Sequence, residues 1–203
     1  MGPDSDRPVS VLGLSSSPRR DSNSDLLLKE FLRGTEKAGA KAEYVSLGRL
    51  RIQPCQGCGS CEKTGECIQQ DDFQALRDRM VAADRLALAT PVYFMAVSAQ
   101  AKILIDRCQS LWARKYVLKQ PLPATAHPPR LGVAIAVAGS RAEEPFTGIR
   151  LTLRYFFEVF DVARVHELFY RPFDRAGAIR EHPNALAEAF ALGQSIGSKQ
   201  AEA

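Results

Sequence analysis

The 203-residue sequence has no long apolar run, little excess of either charge and only three histidines. No stretch reaches the roughly 20 apolar residues that a membrane-spanning helix requires. Residues 1–8 are polar and lack the apolar centre of a secretory signal. A net charge of +4 is too small to predict a nucleic-acid partner. These absences predict a cytoplasmic protein with neither a membrane segment nor a nucleic-acid partner.

The sequence also lacks the motifs of several enzyme classes. It contains no G-x-G-x-x-G fingerprint of dinucleotide-binding folds and no Gly-Lys-Ser/Thr of a phosphate-binding P-loop. His127, His166 and His182 are scattered, so they predict neither a metal site nor a base beside a nucleophile. We expect His182 at the start of the last helix, and the pair Asp71 and Asp72 as a helix cap instead of an acid–base pair. No catalytic side chain is predicted.

Short apolar segments alternate with amphipathic segments along the chain, which is typical of strands alternating with helices. The predicted strands cover residues 9–14, 42–47, 85–90, 131–138 and 163–170. The predicted helices cover residues 24–39, 72–82, 99–112, 148–160 and 183–196. The alternation predicts one α/β domain over residues 1–203, with a flavodoxin-like doubly wound sheet of five parallel strands in the order 2-1-3-4-5 and helices on both faces. Residues 53–71 are expected as a cysteine-rich loop inserted into this fold.

A polar segment, Ser15 to Asp25, joins the first predicted strand to the first predicted helix. Ligands of doubly wound sheets bind outside the carboxyl ends of the strands, where a helix N-terminus offers unpaired N–H groups to an anion. The candidate phosphate donors in this segment are Ser15, Ser17, Arg19, Ser22, Asn23 and Ser24. The residues alone leave open a second interpretation, in which the segment is a polar cap on a surface helix.

The segment after the third predicted strand is apolar and aromatic. It consists of Pro91, Val92, Tyr93, Phe94 and Met95, and it reaches the same sheet edge as the polar segment. A flat apolar surface with backbone N–H groups suits an aromatic cofactor such as a flavin ring. Gly139, after the fourth predicted strand, would let the backbone approach that ring from the other side. The alternative is that Tyr93 and Phe94 are core residues.

Four of the five cysteines lie in one short segment with the spacing C-x2-C-x2-C-x5-C. They are Cys55, Cys58, Cys61 and Cys67. Three cysteines at two-residue gaps are typical of ligands to a [4Fe–4S] cluster, whereas zinc prefers ligand pairs separated by a longer knuckle. A [4Fe–4S] cluster is therefore the leading interpretation, and zinc or metal-free redox thiols are the alternatives. Cys108 falls on the apolar face of a predicted helix and is expected to be a buried core thiol.

Several segments together resemble the NAD(P)H-dependent FMN reductase superfamily, in the right order over about residues 9–197. They are Ser17-Pro18-Arg19 with Ser22-Asn23-Ser24, Thr90-Pro91-Val92-Tyr93-Phe94, Ser98-Ala99-Gln100-Ala101-Lys102 with Ile105-Asp106-Arg107, and His182-Pro183 before the last helix. One departure is Ser22-Asn23-Ser24, where Gly-Asn-Thr is common in the superfamily. The cysteine spacing resembles that of the iron–sulfur flavoproteins, a branch of the same superfamily.

The resemblance implies an FMN cofactor, with its phosphate on residues 15–24 and its ring against residues 91–96 and Gly139. It implies an oxidoreductase that moves electrons between NAD(P)H or a ferredoxin-like donor and a small-molecule or protein acceptor. The alternatives are a non-enzymatic flavodoxin-like electron carrier and a plain NAD(P)H:FMN or quinone reductase without a cluster. The resemblance also implies a homodimer or homotetramer, with the cysteine loop and residues 112–130 near a partner's flavin.

Overall fold

Five parallel strands form the central sheet of the computed structural model, which describes residues 6–199 and 201. They are β1 (Ser10–Ser15), β2 (Lys41–Ser46), β3 (Arg85–Pro91), β4 (Leu131–Val137) and β5 (Arg164–Tyr170). The strand order is β2-β1-β3-β4-β5, and every pairing is parallel. The sheet confirms the predicted flavodoxin-like fold.

Helices cover both faces of this sheet, as predicted. The helices are α1 (Asn23–Lys37), α2 (Cys61–Thr64), α3 (Phe73–Ala82), α4 (Ala99–Arg107), α5 (Gln109–Trp112), α6 (Thr147–Glu158) and α7 (Ala185–Ile196). On one face, α1 and α7 pack against alternate strand residues such as Val11 and Ile135. On the other face, α3, α4 and α6 pack against Leu12, Leu14 and their neighbours. The period of two along each buried strand thus divides the apolar residues between two cores. None of the helices described here is long and apolar enough to cross a bilayer.

Helices α1 and α7 meet with their backbones in contact. A Cβ atom on Gly34 would lie 2.1 Å from the carbonyl oxygen of Phe190, and one on Gly193 would lie 2.1 Å from that of Phe31. Only a residue without a side chain fits at either position. The close contact fixes α1 against α7, and the N-terminus of α1 lies at the sheet edge described below.

The prediction of one helix over residues 99–112 is wrong, because the structure divides this segment. Helix α4 ends at Arg107, α5 follows from Gln109, and a π-helical turn spans Ala113–Val117. The wide turn places Arg114 and Leu118 against Gly65 of the cysteine segment. The helix was predicted from a periodicity of 3.6 residues. That periodicity gives no information about a contact between segments distant in sequence.

The expected helix caps are present. The Oγ of Ser22 accepts a hydrogen bond from the N–H of Asp25 at the start of α1. The Nδ1 of His182 accepts from the N–H of Ala185 (2.9 Å) at the start of α7. At α3 the cap is Asp71, whose Oδ1 accepts from the N–H of Phe73 (2.9 Å), whereas the side chain of Asp72 bonds to the N–H of Arg51.

A buried carboxylate ties three distant segments together at the amino edge of the sheet. Asp84 is fully buried and accepts two hydrogen bonds from the Arg7 guanidinium (2.7 and 2.9 Å), two from Ser10 (2.8 and 2.9 Å) and one from the hydroxyl of Thr125. Burial by itself would raise the pKa of Asp84. The hydrogen bonds from Arg7, Ser10 and Thr125 outweigh burial and hold the pKa well below its usual range.

We expect Asp84→Asn to lower the free energy of unfolding at pH 7 by roughly 3 kcal/mol, the low end for breaking a buried ion pair, because Arg7 is partly exposed. Since the folded-state pKa is depressed, the stabilisation is complete above the unfolded pKa of about 4 and is lost as the pH falls below it. Urea unfolding of both proteins between pH 7 and 3 measures this. The difference between them should shrink on acidification, and a constant difference would contradict the assignment. Asp78→Asn, at an exposed carboxylate, is the control.

Candidate functional site

Loops from four strands meet at the carboxyl edge of the sheet and line one cleft. The cleft has a volume of about 40 Å³. The lining residues are Ser17, Arg19, Ser22, Asn23 and Ser24 after β1, Pro91, Val92 and Tyr93 after β3, Val137 and Gly139 at the end of β4, and Phe173, Asp174 and Ala176 after β5. The structure therefore brings together nine of the twelve residues predicted to bind a cofactor. Ser15, Phe94 and Met95 lie outside this lining.

The polar end of the cleft is built around the N-terminus of α1. Ser22 and Ser24 are buried, with their hydroxyl oxygens 3.4 Å apart. Arg19 is held at the rim, where its backbone N–H donates to the Oγ of Ser17 (3.2 Å) and its guanidinium donates to the carbonyl of Asp174 (3.3 Å). Buried hydroxyls, a helix N-terminus and a guanidinium together suit an anion such as a phosphate.

Asn23 holds a neighbouring loop. Its side-chain amide donates to the carbonyls of Phe173 (2.9 Å) and Arg175 (3.1 Å), and its Oδ1 accepts from the N–H of Ile179 (3.1 Å). Both amide hydrogens are engaged, so the side chain positions the loop after β5 instead of donating to a phosphate.

Ser15 was predicted to lie in the loop after β1, but it is the last residue of that strand. As a strand residue between β2 and β3, it is buried beside the hydroxyl of Tyr44, which donates to Asp25. Its side chain therefore points away from the cleft and toward the packing of α1 on β2. The strand extends one residue further than the apolar pattern, because the pairing of β1 with both neighbours continues to this position.

The segment after β3 forms a tight turn with a strained backbone. The backbone N–H and carbonyl groups of Tyr93 and Ala96 are paired at 3.0 Å in both directions. Phe94 (φ 49°) and Met95 (φ 59°) occupy the left-handed region, which favours Asn or Gly in such two-residue turns. Non-glycine residues in this conformation are typical of ligand-binding sites, where the surrounding structure imposes the strain.

This turn is braced from one side and open on the other. The carbonyl of Met95 lies so close to Gly148, near the start of α6, that a Cβ there would be 2.8 Å away. Thr90 Oγ1 accepts from the N–H of Ser98 (3.0 Å) and closes the base of the loop. The Phe94 side chain is fully exposed at the tip. Tyr93 thus lines the cleft, whereas Phe94 projects beyond it and is not a core residue.

The loop after β5 also contributes to the cleft, although it was not among the predicted site residues. Phe173, Asp174 and Ala176 line the cleft, and the side chain of Asp174 would be 2.8 Å from a Cβ atom on Gly139. No motif marks these residues. The available signal was topological, because every loop that follows a strand of a parallel sheet reaches the same edge.

The four clustered cysteines line a second cavity of about 200 Å³. Cys55 and Cys58 are exposed, Cys61 and Cys67 are half-buried, and all are free thiols. Gly57 (φ 63°) and Gly59 (φ 71°) adopt left-handed conformations that turn the chain between the first three cysteines. The Ser60 hydroxyl lies 3.5 Å from the Cys58 sulfur and lowers the pKa of that thiol, whereas burial raises the pKa of Cys61. Cys108 is buried outside this cavity, as expected, and burial raises its pKa.

Two kinds of metal group are candidates for the four thiols, and they require different distances between the sulfurs. Within residues 6–199 and 201, no three Cys, His, Asp or Glu side chains converge closely enough to hold one metal ion. Tetrahedral zinc with bonds of about 2.3 Å to sulfur needs its four sulfurs only about 3.8 Å apart. A [4Fe–4S] cluster binds each thiolate through a different iron and keeps the sulfurs farther apart. The structure shows four thiols around one cavity of about 200 Å³, an arrangement compatible with the cluster.

Helix α4 connects the two sites. At its start, the hydroxyl of Ser98 donates to the carbonyl of Ser16 in the loop after β1 (2.8 Å). At its end, Arg107 lines the cysteine cavity. Nine helical residues span about 14 Å, so both sites are fixed to one short rigid element.

Comparison with known proteins identifies relatives of the chain. Residues 9–145 match the NADPH-dependent FMN reductase family. An iron-sulfur flavoprotein of Methanocaldococcus jannaschii is 40% identical over 103 residues, which cover 51% of this chain and 53% of that protein. One from Archaeoglobus fulgidus is 36% identical over 131 residues, covering 64% and 63%. The matches thus span between half and two thirds of these relatives. The structure of an NAD(P)H:quinone oxidoreductase from Methanothermobacter marburgensis superposes on this chain with a TM-score of 0.72 at 22% identity. The superposition covers 94% of this chain and all of that protein, and it supports the fold.

Proposed function

Since the chain belongs to the NADPH-dependent FMN reductase family, we propose that it is an FMN-dependent oxidoreductase. The observation that carries the proposal is the cleft at the carboxyl edge of the sheet. It combines an anion site at the N-terminus of α1 with an apolar wall after β3. Bound FMN would supply hydride acceptance and the release of single electrons, which links two-electron donors to one-electron acceptors.

The described residues fit FMN, and each part of the cleft has a distinct role. Ser17, Ser22, Ser24 and Arg19 would hold the phosphate, because their hydroxyl and guanidinium donors surround the start of α1. Pro91, Val92 and Tyr93 would support the ring on one side, and the backbone at Gly139 would approach it from the other. Phe94 and Met95 would cover the exposed edge of the ring or meet a substrate, since the strained turn presents them beyond the cleft.

We infer that the electron donor is NAD(P)H or a ferredoxin-like protein and that the acceptor is a small molecule or another redox protein. No side chain needs to act as a nucleophile, because the hydride moves between donor and flavin. The competing function is that of a non-enzymatic flavodoxin-like carrier. Turnover with NADH or NADPH separates the two.

We propose further that Cys55, Cys58, Cys61 and Cys67 bind a [4Fe–4S] cluster. The supporting observation is that all four thiols line one cavity without converging on a single-ion site. A cluster at the far end of α4 would give the flavin a one-electron partner. The protein would then work in the cytoplasm, where the reducing environment keeps such thiols free of disulfides.

We also propose that the protein is a homodimer or homotetramer. The rings of Trp112 and Tyr116 are 5.6 Å apart, and Trp112 shares a groove with Tyr155 of α6. Leu151 lies one turn before Tyr155 on the same exposed face. Large apolar side chains exposed side by side on a soluble chain favour burial against a second copy.

We expect Arg19→Ala to weaken FMN binding by about 1–3 kcal/mol, roughly 5-fold to 150-fold, because a charge-assisted hydrogen bond to the phosphate is lost. NAD(P)H oxidation with ferricyanide or a quinone should fall in parallel at limiting FMN. The matched control is Arg20→Ala, which removes an adjacent charge that does not line the cleft.

Flavin fluorescence and absorbance titrations measure the affinity. Equal affinities of both variants and the wild type would disprove the phosphate assignment. No FMN binding by the wild type at micromolar concentration would disprove the cofactor. Rapid reduction by a ferredoxin without turnover on either nicotinamide nucleotide would favour the carrier.

We expect anaerobically prepared protein to contain about four irons and acid-labile sulfide per chain, as a [4Fe–4S] cluster requires. Cys58→Ala should lose the iron and the paramagnetic resonance signal of the reduced protein. Cys108→Ala should keep both, because its thiol lies outside the cysteine cavity. Iron-free wild-type protein with full flavin and full nicotinamide-dependent turnover would instead identify a plain reductase.

We expect light scattering of the wild type to give a multiple of the 22.3 kDa chain mass. Trp112→Glu combined with Tyr155→Glu should shift the mass toward the monomer, because both charges would be placed in the shared apolar groove. A monomeric wild type at high concentration would refute this assembly, and an unchanged mass in the double variant would place the interface elsewhere.

A further inference from the structure

Arg107 is a buried cation at the last position of α4. It is 1% exposed, and its side chain forms an ion pair with Asp71 (2.6 Å). Its Nη1 also donates to the carbonyl of Gln53 (2.8 Å), and its Nη2 donates to that of Gln69 (3.3 Å). The guanidinium lies over the ring of Phe73, 4.7 Å from the centroid.

These partners lie at the two ends of the cysteine segment. Gln53 precedes Cys55, and Gln69 and Asp71 follow Cys67. The carboxylate of Asp71 also accepts from the N–H of Gln53 (2.9 Å), so the two ends are joined to each other as well. One guanidinium therefore clamps the base of the loop that carries all four cysteines.

One donor of Arg107 has no partner within the described residues. Its Nε is buried and makes no hydrogen bond, although a buried unpaired donor on a charged group is costly. Arg107 lines the cysteine cavity together with Cys67. An arginine is positively charged at any pH of interest. One wall of the cavity is thus formed by a side chain that carries a fixed positive charge, paired with Asp71, and one unused donor.

Resting on the cluster of the proposed function, we propose that Arg107 positions the cysteine segment and raises the reduction potential of that cluster. Reduction adds one negative charge to the cluster. A buried cation in the wall of the cavity stabilises that added charge, and the net charge and hydrogen bonds around a cluster are principal controls of such potentials. Solvent and salt screen buried charges less than exposed ones. The interaction between the buried guanidinium and the cluster is therefore weakened little by either.

The test is a redox titration of anaerobically prepared, FMN-loaded protein, followed by paramagnetic resonance for the cluster and absorbance for the flavin. Arg107→Gln should lower the midpoint potential of the cluster more than that of the flavin. Arg107→Lys, which keeps the charge but not the planar fork, should restore part of the shift. The control is Arg114→Gln, at a more exposed arginine near Gly65 in the same segment, which should change the potential less. The shift of Arg107→Gln should persist at high salt.

The outcomes separate this inference from the cluster itself. Iron-free wild-type protein would overturn the cluster and this inference with it. Loaded Arg107→Gln protein with the wild-type cluster potential would overturn this inference alone. If Arg107→Gln binds FMN normally but loses iron that Arg107→Lys retains, the positioning role is supported. A shift as large in Arg114→Gln would assign the effect to overall charge and overturn the role of Arg107.

Discussion

The parallel register of the five strands determines where every candidate residue lies. Ser15 at the end of β1 pairs with Ser46 of β2 and Ala89 of β3, and β4 and β5 continue the same alignment. The loops that follow the strands must therefore begin at one edge. A slip of one residue would turn the side chains of a strand to the opposite face and expose its apolar set. Burial of the strands on both faces thus specifies the register that assembles the cleft.

Helix α4 links the cleft at the sheet edge to the cysteine cavity. Its first turn is joined to the loop after β1 by the bond from Ser98 to Ser16, and its last residue clamps the cysteine segment. Between these ends, Ala101 and Leu104 are buried in the core. A helix packed in the core holds its two ends at fixed relative positions, because protein interiors are packed as densely as crystals of small organic molecules. The relative placement of the two sites therefore depends on core packing more than on the loops themselves.

The sequence predicts most of the fold, because five apolar runs and the helices between them follow simple periods. It predicts less of the site, because long-range hydrogen bonds determine which side chains are free. Asn23 looks like a phosphate donor in sequence, yet its amide is used by Phe173 and Arg175, 150 and 152 residues away. The π-helical turn at Ala113–Val117 packs on Gly65, and the turn at Phe94 packs on Gly148. None of these partners is marked by local pattern.

The two sites differ in how much order the chain supplies before anything binds. The cleft is fixed by the capped α1, the anchored loop after β5 and the strained turn, so its geometry is largely formed in advance. The cysteine segment is fixed at its base by Arg107 and Asp71, and left-handed glycines separate its exposed thiols. Between such ends, bonds from the thiols to a metal group would contribute directly to the folding of the segment, because metal ligation and local folding share one free energy. The base fixed by Arg107 and Asp71 would limit the part of the chain that such ligation has to order.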